Sequence, residues 1–179
     1  MPPSIHTIGH SKRTLEDFET LLERFGIQRL IDVRTVPKSR HMPHFNTENL
    51  ARALAAKKID YRHMKILGGL RKPAKDSINL GWRNSGFRGF ADHMQTEEFR
   101  TGLAELTSLA APEKTAIMCA EAVPWRCHRS LIADALVIRQ WEVRHILALT
   151  SAQLHLLTPF AVVEGESITY PQCAAPDQV

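Results

Sequence analysis

The sequence predicts a single α/β domain in which helices cover both faces of a mainly parallel sheet of about five strands, giving three layers. Short apolar segments alternate with longer segments of helical periodicity, and the length of 179 residues suits one domain with a sizeable core. Hydrophobic residues make up 44% of the chain, which is too many for a disordered protein. We expect the domain to span residues 1–173 and the tail at 174–179 to be frayed.

The first part of the chain contains three predicted strands and two predicted helices. Thr14 and Asp17 form a capping-box pattern that predicts the start of a helix, and Gly26 predicts its end. Asn46 predicts the start of the second helix. The strands are predicted at Ile5–Ile8, Arg29–Val33 and Ile59–His63.

The second part continues the alternation after a long irregular stretch, Lys65–Gly89, that is rich in glycine, lysine and arginine. An irregular stretch of this length in a compact domain is commonly functional when it is ordered. Helices are predicted at Thr96–Leu109, Arg126–Gln140 and Ala152–Leu157, and strands at Thr115–Met118, Val143–Ile146, Phe160–Val163 and Ser167–Tyr170, the last two turning at Glu164–Gly165.

Composition favours a cytoplasmic protein with no membrane partner. No apolar run approaches the roughly 20 residues that span a bilayer, and the N-terminus lacks the pattern of a signal peptide. The three cysteines are too few, and odd in number, for a disulfide framework. The net charge of +4 is mild, but basic residues concentrate in 33–47 and 61–91, which indicates either a phosphate-attracting surface or an ordinary solvated one.

Polar residues follow three of the predicted strands. Because ligands of parallel α/β folds bind beyond the carboxyl ends of the strands, these residues are candidates for a site. Glu121 or Asp32 would be a general base or nucleophile, and His10 a proton carrier. The alternatives are structural: an ion pair of either carboxylate with Arg34, Arg126 or Arg129, and a hydrogen bond from His10 to the strand ends.

The most distinctive segment is Cys119–Arg129, which leaves a strand and enters a predicted helix. A helix start attracts anions, and an arginine beside it adds a planar pair of donors for phosphate or carboxylate. We therefore expect an anion site with Arg126 or Arg129 as its clamp. The candidate binding residues around it are Ser11, Arg34, Arg40, Arg88, Arg126, Cys127, His128 and Arg129.

Three interpretations compete for the cysteines of this segment. Cys119, Cys127 and His128 could bind zinc, with His10 completing the set, but their spacing is not that of a zinc finger. Cys127 could be a nucleophile, because a helix start and arginines lower a thiol pKa. We favour the third interpretation, in which both cysteines pack as small hydrophobic residues, and we expect no metal and no cofactor.

Trp82, Phe87 and Phe90 interleave with Arg83 and Arg88. This mixture suits base stacking combined with phosphate contacts, although it equally fits a loop that is anchored by its own aromatic side chains.

The chain resembles the domain of unknown function 488 family of bacterial proteins over about residues 6–146. The resemblance rests on four motifs: TIGHS at Thr7–Ser11, DVR at Asp32–Arg34, RNSGFRG at Arg83–Gly89 and CAEAVPWRCHR at Cys119–Arg129. It implies a Rossmann-like α/β fold, and the loose description of some members as DNA repair proteins gives weak support for nucleic-acid processing. The positions at which this chain matches the family's recurrent residues are His10, Ser11, Asp32, Arg34, Arg40, Glu121, Cys127, His128 and Arg129.

The leading functional hypothesis is an enzyme that acts on a nucleotide or nucleic-acid component. Arg34, Arg40 and Arg129 would bind its phosphate, and Glu121 or Asp32 would act as base or nucleophile, as in cleavage or transfer at a glycosidic bond. The alternatives are a nucleic-acid-binding module without catalysis and a thiol- or metal-dependent protein. An enzyme requires a cleft with perturbed titratable groups, whereas binding alone requires only a broad positive face.

Overall fold

The computed structural model describes residues 2–172, and its centre is a six-stranded sheet. The order across the sheet is β3-β2-β4-β1-β5-β6, in which the first five strands are parallel and β6 runs antiparallel to β5. These strands are β1 Ser4–Gly9, β2 Arg29–Asp32, β3 Asp60–His63, β4 Thr115–Cys119, β5 Glu142–Ala148 and β6 Ser151–Leu154. The predicted tail at 174–179, and Cys173, lie outside the described residues.

Within residues 2–172, five α-helices cover the two faces of the sheet: α1 Leu15–Arg24, α2 Thr47–Ala56, α3 Ser85–His93, α4 Glu97–Ala110 and α5 Arg129–Val137. α1 and α2 pack Phe18 and Leu50 on one face, while α3, α4 and α5 pack Phe90, Leu103 and Leu131 on the other. Helices on both sides of a parallel sheet make the three-layer architecture that the alternating pattern predicts. No helix within residues 2–172 has the length and apolar character needed to cross a membrane.

Side-chain caps begin three of these helices. The hydroxyl of Thr14 accepts from the N–H of Asp17 at 3.1 Å, and Thr96 accepts in the same way from Phe99. Asn84 accepts from the N–H groups of Gly86 and Phe87. Gly26 follows α1 with a φ of +64°, the left-handed conformation that glycine adopts without strain.

The register of the sheet brings the predicted site segments to one edge. Gly9 lies beside Cys119, and Asp32 lies beside Met118. Beyond the strands, the N–H of His10 donates to the carbonyl of Cys119 at 3.0 Å, so the loops after β1 and β4 leave the sheet together. The prediction that β1, β2 and β4 are parallel neighbours with their polar ends at one edge is confirmed.

The helix predicted over Arg126–Gln140 is shorter, and its start lies elsewhere. A 3-10 helix at Pro124–Arg126 comes first, then Cys127 takes an extended backbone with φ −137° and ψ 142°, and α5 begins at Arg129. Pro124 therefore starts a tight turn that is separate from α5. Cys127 precedes the helix instead of lying in its first turn, which removes the reason for expecting the helix start to act on it.

The helix predicted over Ala152–Leu157 is wrong. Residues Ser151–Leu154 form β6, which pairs with β5 after a tight reversal of the chain, because an edge of the sheet offers backbone partners that outweigh a weak helical pattern. The predicted strand pair after it is present as the hairpin β7 Val162–Glu164 and β8 Ser167–Thr169, with Gly165 at its turn. The long stretch Lys65–Gly89 contains a 3-10 helix at Lys65–Leu67 and the first residues of α3.

Two buried histidines predict how stability depends on pH. Burial lowers the pKa of His6 to about 4 and that of His145 to about 3, from the ordinary 6.5. Below about pH 6.5 the unfolded chain therefore takes up protons that the folded chain does not. We expect the free energy of unfolding to be fully present above that pH and to fall as the pH drops towards 4, by up to about 1.4 kcal/mol per pH unit for each histidine.

Urea unfolding of wild type and His6→Leu over this range tests the expectation. His6 Nδ1 is buried without a hydrogen-bond partner, so leucine should fit and should flatten the pH dependence by about one proton. His41→Gln, at an exposed position, is the control and should follow wild type. An unchanged slope in His6→Leu would contradict the prediction.

Candidate functional site

A pocket of about 330 Å³ opens at the carboxyl edge of the sheet, beyond the ends of β2 and β4. We call it the strand-end pocket. Its volume lies within the usual range for small-molecule sites, and its position is the one at which parallel α/β folds bind ligands. Its lining residues are Arg34, Thr35, Val36, Gly69, Leu70, Asn84, Gly86, Phe87, Cys119, Ala120, Glu121, Arg126, Cys127 and His128.

Two thiols and an imidazole gather at this pocket. Cys119 is the last residue of β4, while Cys127 and His128 stand immediately before α5. Nδ1 of His128 lies 3.7 Å from Sγ of Cys127 and 3.9 Å from Sγ of Cys119, and all three atoms lie within 4.8 Å of one another. His10, which the sequence offered as a fourth member, is not part of this group.

The imidazole of His128 is held from two sides. Its Nε2 donates to the carbonyl of Val33 at 3.1 Å, which leaves the Nδ1 lone pair of the neutral ring facing the sulfurs. The backbone of Gly69 packs on the ring, since a Cβ there would come 2.3 Å from Nδ1 and 2.7 Å from Cγ. Only glycine permits this approach, so Gly69 contributes to fixing the ring.

Arg129 lies beneath the pocket and is 1% exposed. Its Nε donates to Sγ of Cys127 at 3.4 Å, and its two NH groups donate to the hydroxyl of Thr7 at 3.3 Å and to the carbonyl of Glu121 at 2.7 Å. None of these three partners is a carboxylate. A buried guanidinium that donates to sulfur favours the negatively charged form of that sulfur.

The two thiols are pulled in opposite directions. Burial opposes the thiolate of Cys127, but the hydrogen bond from Cys119 and the charge of the Arg129 guanidinium lower its pKa well below the ordinary value. The hydrogen bond with Cys127, together with burial, raises the pKa of Cys119. The thiolate therefore forms more readily at Cys127, where Arg129 donates, than at Cys119.

A chain of buried polar groups leads from Arg129 to the opposite side of α5. The Thr7 hydroxyl contacts Nδ1 of His145 at 2.8 Å, and Nε2 of His145 contacts Nδ1 of His155 at 2.9 Å. Nε2 of His155 then reaches Asp134 at 2.8 Å. Because the carboxylate of Asp134 can only accept, and a neutral imidazole donates from one nitrogen and accepts at the other, the hydrogen bonds can all run in one direction, from Arg129 towards Asp134.

Asp32 and Arg34 form the structural ion pair that the sequence left open. Nε of Arg34 donates to Oδ1 of Asp32 at 2.9 Å, its NH2 donates to the carbonyl of Phe45, and the Tyr61 hydroxyl donates to Asp32 at 2.7 Å. Asp32 is fully buried and does not line the pocket. Its hydrogen bonds leave it poorly placed to act as a base.

His10 takes part in the same structural arrangement. It is 5% exposed, stacks on Phe45 with ring centroids 4.3 Å apart, and donates from Nδ1 to the Ser11 carbonyl. Burial lowers its pKa to about 4, so the ring is neutral and its Nε2 accepts from Arg34. His10 does not line the strand-end pocket.

The other predicted site residues divide between the pocket and its surroundings. Glu121 and Arg126 line the pocket and are exposed. Ser11, Arg40 and Arg129 do not line it, and Arg88 lines a separate depression and donates to the carbonyl of Trp82. Of the candidates His10, Asp32, Arg34, Glu121 and Arg129, only Arg34 and Glu121 line the strand-end pocket.

The structure adds lining residues that the sequence did not single out for this site. Gly69 belongs to a glycine pair too short for a phosphate loop, and its role depends on a contact with a ring distant in sequence. Among the interleaved aromatic residues, Phe87 lines the pocket, whereas Phe90 is buried and Trp82 packs against Phe87, Phe160 and Tyr170. Most of that aromatic cluster is therefore an anchor of the loop.

Substitution of Arg129 should show how much its buried contacts contribute to the free energy of unfolding. Arg129→Lys keeps the charge but cannot donate to three partners in the plane of a guanidinium, and we expect the free energy of unfolding to fall by roughly 2–4 kcal/mol. Arg126→Lys, at the exposed rim of the same pocket, is the matched control and should change it by less than about 0.5 kcal/mol. Urea unfolding at neutral pH measures both, and equal effects would show that the buried contacts of Arg129 contribute little.

Comparison with known proteins gives one result. A search of curated proteins and a search of solved structures each return no match. The family model of the domain of unknown function DUF488 matches residues 14–136, which is more than half of the chain and includes the ends of β2 and β4 and the Cys119–Arg129 segment. The chain therefore belongs to the DUF488 family.

Proposed function

We propose that the protein is an enzyme that acts on a small phosphate-bearing substrate, a nucleotide or another nucleic-acid component, in the strand-end pocket. The observation that carries this proposal is the composition of one concave surface. Arginine, a carboxylate, an aromatic ring and an amide side chain line the same space of about 330 Å³. A pocket that combines these groups with perturbed titratable residues is typical of an enzyme site.

The cationic side of the pocket supports an anionic ligand. Arg126 is exposed on the rim and is the side chain best placed to pair with a phosphate, in place of Arg40 and Arg129 from the sequence hypothesis. Arg34 also lines the pocket, but Asp32 holds its guanidinium. We therefore assign phosphate recognition chiefly to Arg126.

Two further lining residues support a base or another flat group. Asn84 and Phe87 lie at the start of α3 and line the pocket, which offers an aromatic ring for stacking and an amide in the same region. Glu121, exposed in the same lining, is the carboxylate available for acid–base work, since Asp32 is committed to Arg34.

The contacts of two arginines in the basic stretch at 61–91 support an enzyme with a pocket over a simple nucleic-acid-binding surface. Arg71 donates to the carbonyls of Gly68 and Ile66, and Arg88 donates to the carbonyl of Trp82. These two guanidinium groups hold the backbone of their own loop. They keep their charge, but these donors are used within the protein and are not free to contact a phosphate backbone.

Ligand-dependent melting tests recognition of phosphate. We expect a mononucleotide to raise the Tm of wild type, since a ligand at one hundred times its Kd stabilises by about 2.7 kcal/mol. Arg126→Ala should weaken binding by about tenfold or more, the effect of losing one charge-assisted hydrogen bond. Arg52→Ala, an exposed arginine of α2, is the matched control.

Inorganic phosphate and short single-stranded DNA complete the ligand series. A shift with DNA alone, strongly dependent on salt, would favour the binding module instead. No shift with any ligand, together with identical melts of Arg126→Ala and Arg52→Ala, would show that the proposed function is wrong.

Glu121→Gln tests catalysis separately from binding. The amide cannot accept a proton, so turnover of a nucleotide that binds should fall by about 10²–10⁴-fold while the melting shift stays at the wild-type value. Chromatography of the reaction products measures turnover, and Glu105→Gln on the exposed face of α4 is the control. Unchanged turnover in Glu121→Gln would remove this residue from the mechanism.

A further inference from the structure

We propose that Cys119, Cys127 and His128 form a Zn²⁺ site with three protein ligands and one open position. The three residues line the strand-end pocket, and Sγ, Sγ and Nδ1 all lie within 4.8 Å of one another. The site lies in the pocket to which the proposed function assigns its substrate. It is nevertheless argued from the ligand atoms alone and can be tested by metal binding without any activity.

The distances match the edges of a zinc tetrahedron. With Zn–S bonds of about 2.3 Å and Zn–N bonds of about 2.0–2.1 Å, tetrahedral angles place neighbouring ligand atoms about 3.5–3.8 Å apart. The separations of 3.7 Å and 3.9 Å between Nδ1 and the two sulfurs lie within a few tenths of an ångström of these values. These two edges need only a small contraction around an ion, and the two sulfurs lie within 4.8 Å of each other.

The orientation of the imidazole is already that of a metal ligand. A ligating histidine usually donates its other ring N–H to a carbonyl or carboxylate, which fixes the tautomer and the ring plane. Nε2 of His128 donates to the carbonyl of Val33 in this way, and the backbone of Gly69 packs against the face of the ring. The lone pair of Nδ1 therefore faces the sulfurs before any ion binds.

Simple packing of the cysteines does not account for their neighbours. A thiol that only fills space needs apolar contacts, whereas Cys127 receives a hydrogen bond from the buried guanidinium of Arg129 and Cys119 lies beside an imidazole lone pair. Donors to a ligating thiolate are the contacts expected around a metal centre. Cys119 is the last residue of β4, and His128 immediately precedes α5, so two rigid elements hold the ligands in place.

The open position faces the pocket. Two cysteines and one histidine satisfy three of the four positions that zinc takes, and catalytic zinc sites keep the fourth for water or substrate. Because all three ligands line the strand-end pocket, a small molecule there could reach the remaining position. This arrangement would place a Lewis acid in the same space as Glu121.

Metal titration of the reduced protein tests the proposal directly. The protein is stripped with a chelator, and Co²⁺ and then Zn²⁺ are added under anaerobic conditions. We expect one Co²⁺ per chain, with a thiolate-to-cobalt charge-transfer band and the intense visible bands of tetrahedral cobalt, both abolished by one equivalent of Zn²⁺. Elemental analysis after gel filtration should give one zinc per chain.

Matched variants identify the ligands. Cys119→Ser, Cys127→Ser and His128→Ala should each lose the charge-transfer band or weaken Zn²⁺ binding at least a hundredfold. Gly69→Ala keeps all three ligands but pushes on the ring, and should weaken binding at least tenfold. Gly86→Ala is the control in the same pocket, since its Cβ would come no closer than 3.1 Å to Asn84 Oδ1. Cys173→Ser controls for the remaining cysteine.

The outcomes separate this proposal from the proposed function. Absence of Co²⁺ and Zn²⁺ binding by the reduced wild type, or a bound metal that Cys127→Ser and Cys119→Ser both retain, would overturn the zinc site. The zinc site would also be overturned if the only change seen at these thiols is a Cys119–Cys127 disulfide that forms in air. A protein that binds zinc but shows no nucleotide-dependent melting shift would keep the site and refute the proposed substrate.

Discussion

The buried charge of Arg129 is the constraint around which the candidate site is arranged. A guanidinium at 1% exposure is costly unless its donors are satisfied and a negative charge lies near. Its partners are a sulfur, a hydroxyl and a backbone carbonyl, so the compensating charge must come from the thiolate side or through a polarised chain. Arg129 holds the backbone carbonyl of Glu121 close to Gly9. The oxygen of this carbonyl lies where the Cβ of any larger residue at position 9 would be, so only glycine fits there.

The chain from Arg129 to Asp134 carries the same constraint across the domain. Asp134 is fully buried and accepts from His155, from the backbone and hydroxyl of Thr158, and from the hydroxyl of Tyr170. Tyr170 follows the β7–β8 hairpin and Thr158 the edge strand β6, so one carboxylate fastens both to α5. Both ring nitrogens of His145 and of His155 have hydrogen-bond partners. A buried polar network that is satisfied in this way fixes one arrangement.

The sequence predicted the edge of the sheet better than the chemistry at that edge. The alternation of Ile5–Ile8, Arg29–Val33 and Thr115–Met118 with helices is enough to make three parallel neighbours, and their common direction places their polar ends at the same edge of the sheet. The sequence offered Cys119, Cys127 and His128 as a zinc set but did not favour it, because eight residues of loop and 3-10 helix separate Cys119 from His128. The extended backbone of Cys127 brings the thiols together. The partners of Asp134 escaped prediction because Ala152–Leu157 was predicted as a helix, which hid the strand that positions His155.

Charge connects the two proposals for the strand-end pocket. Without metal, a thiolate at Cys127 would balance the charge of the Arg129 guanidinium, and the Asp32–Arg34 pair is neutral as well. With Zn²⁺, two thiolates balance the ion and the charge of Arg129 remains, so the centre carries a net positive charge next to a pocket that also contains Arg126. In a partly buried site such a charge is weakly screened and favours an anion at the open position of the metal. Metal binding would then make the pocket selective for phosphate-bearing ligands. The function of Arg129, which no carboxylate contacts, would be to supply the positive charge behind this preference.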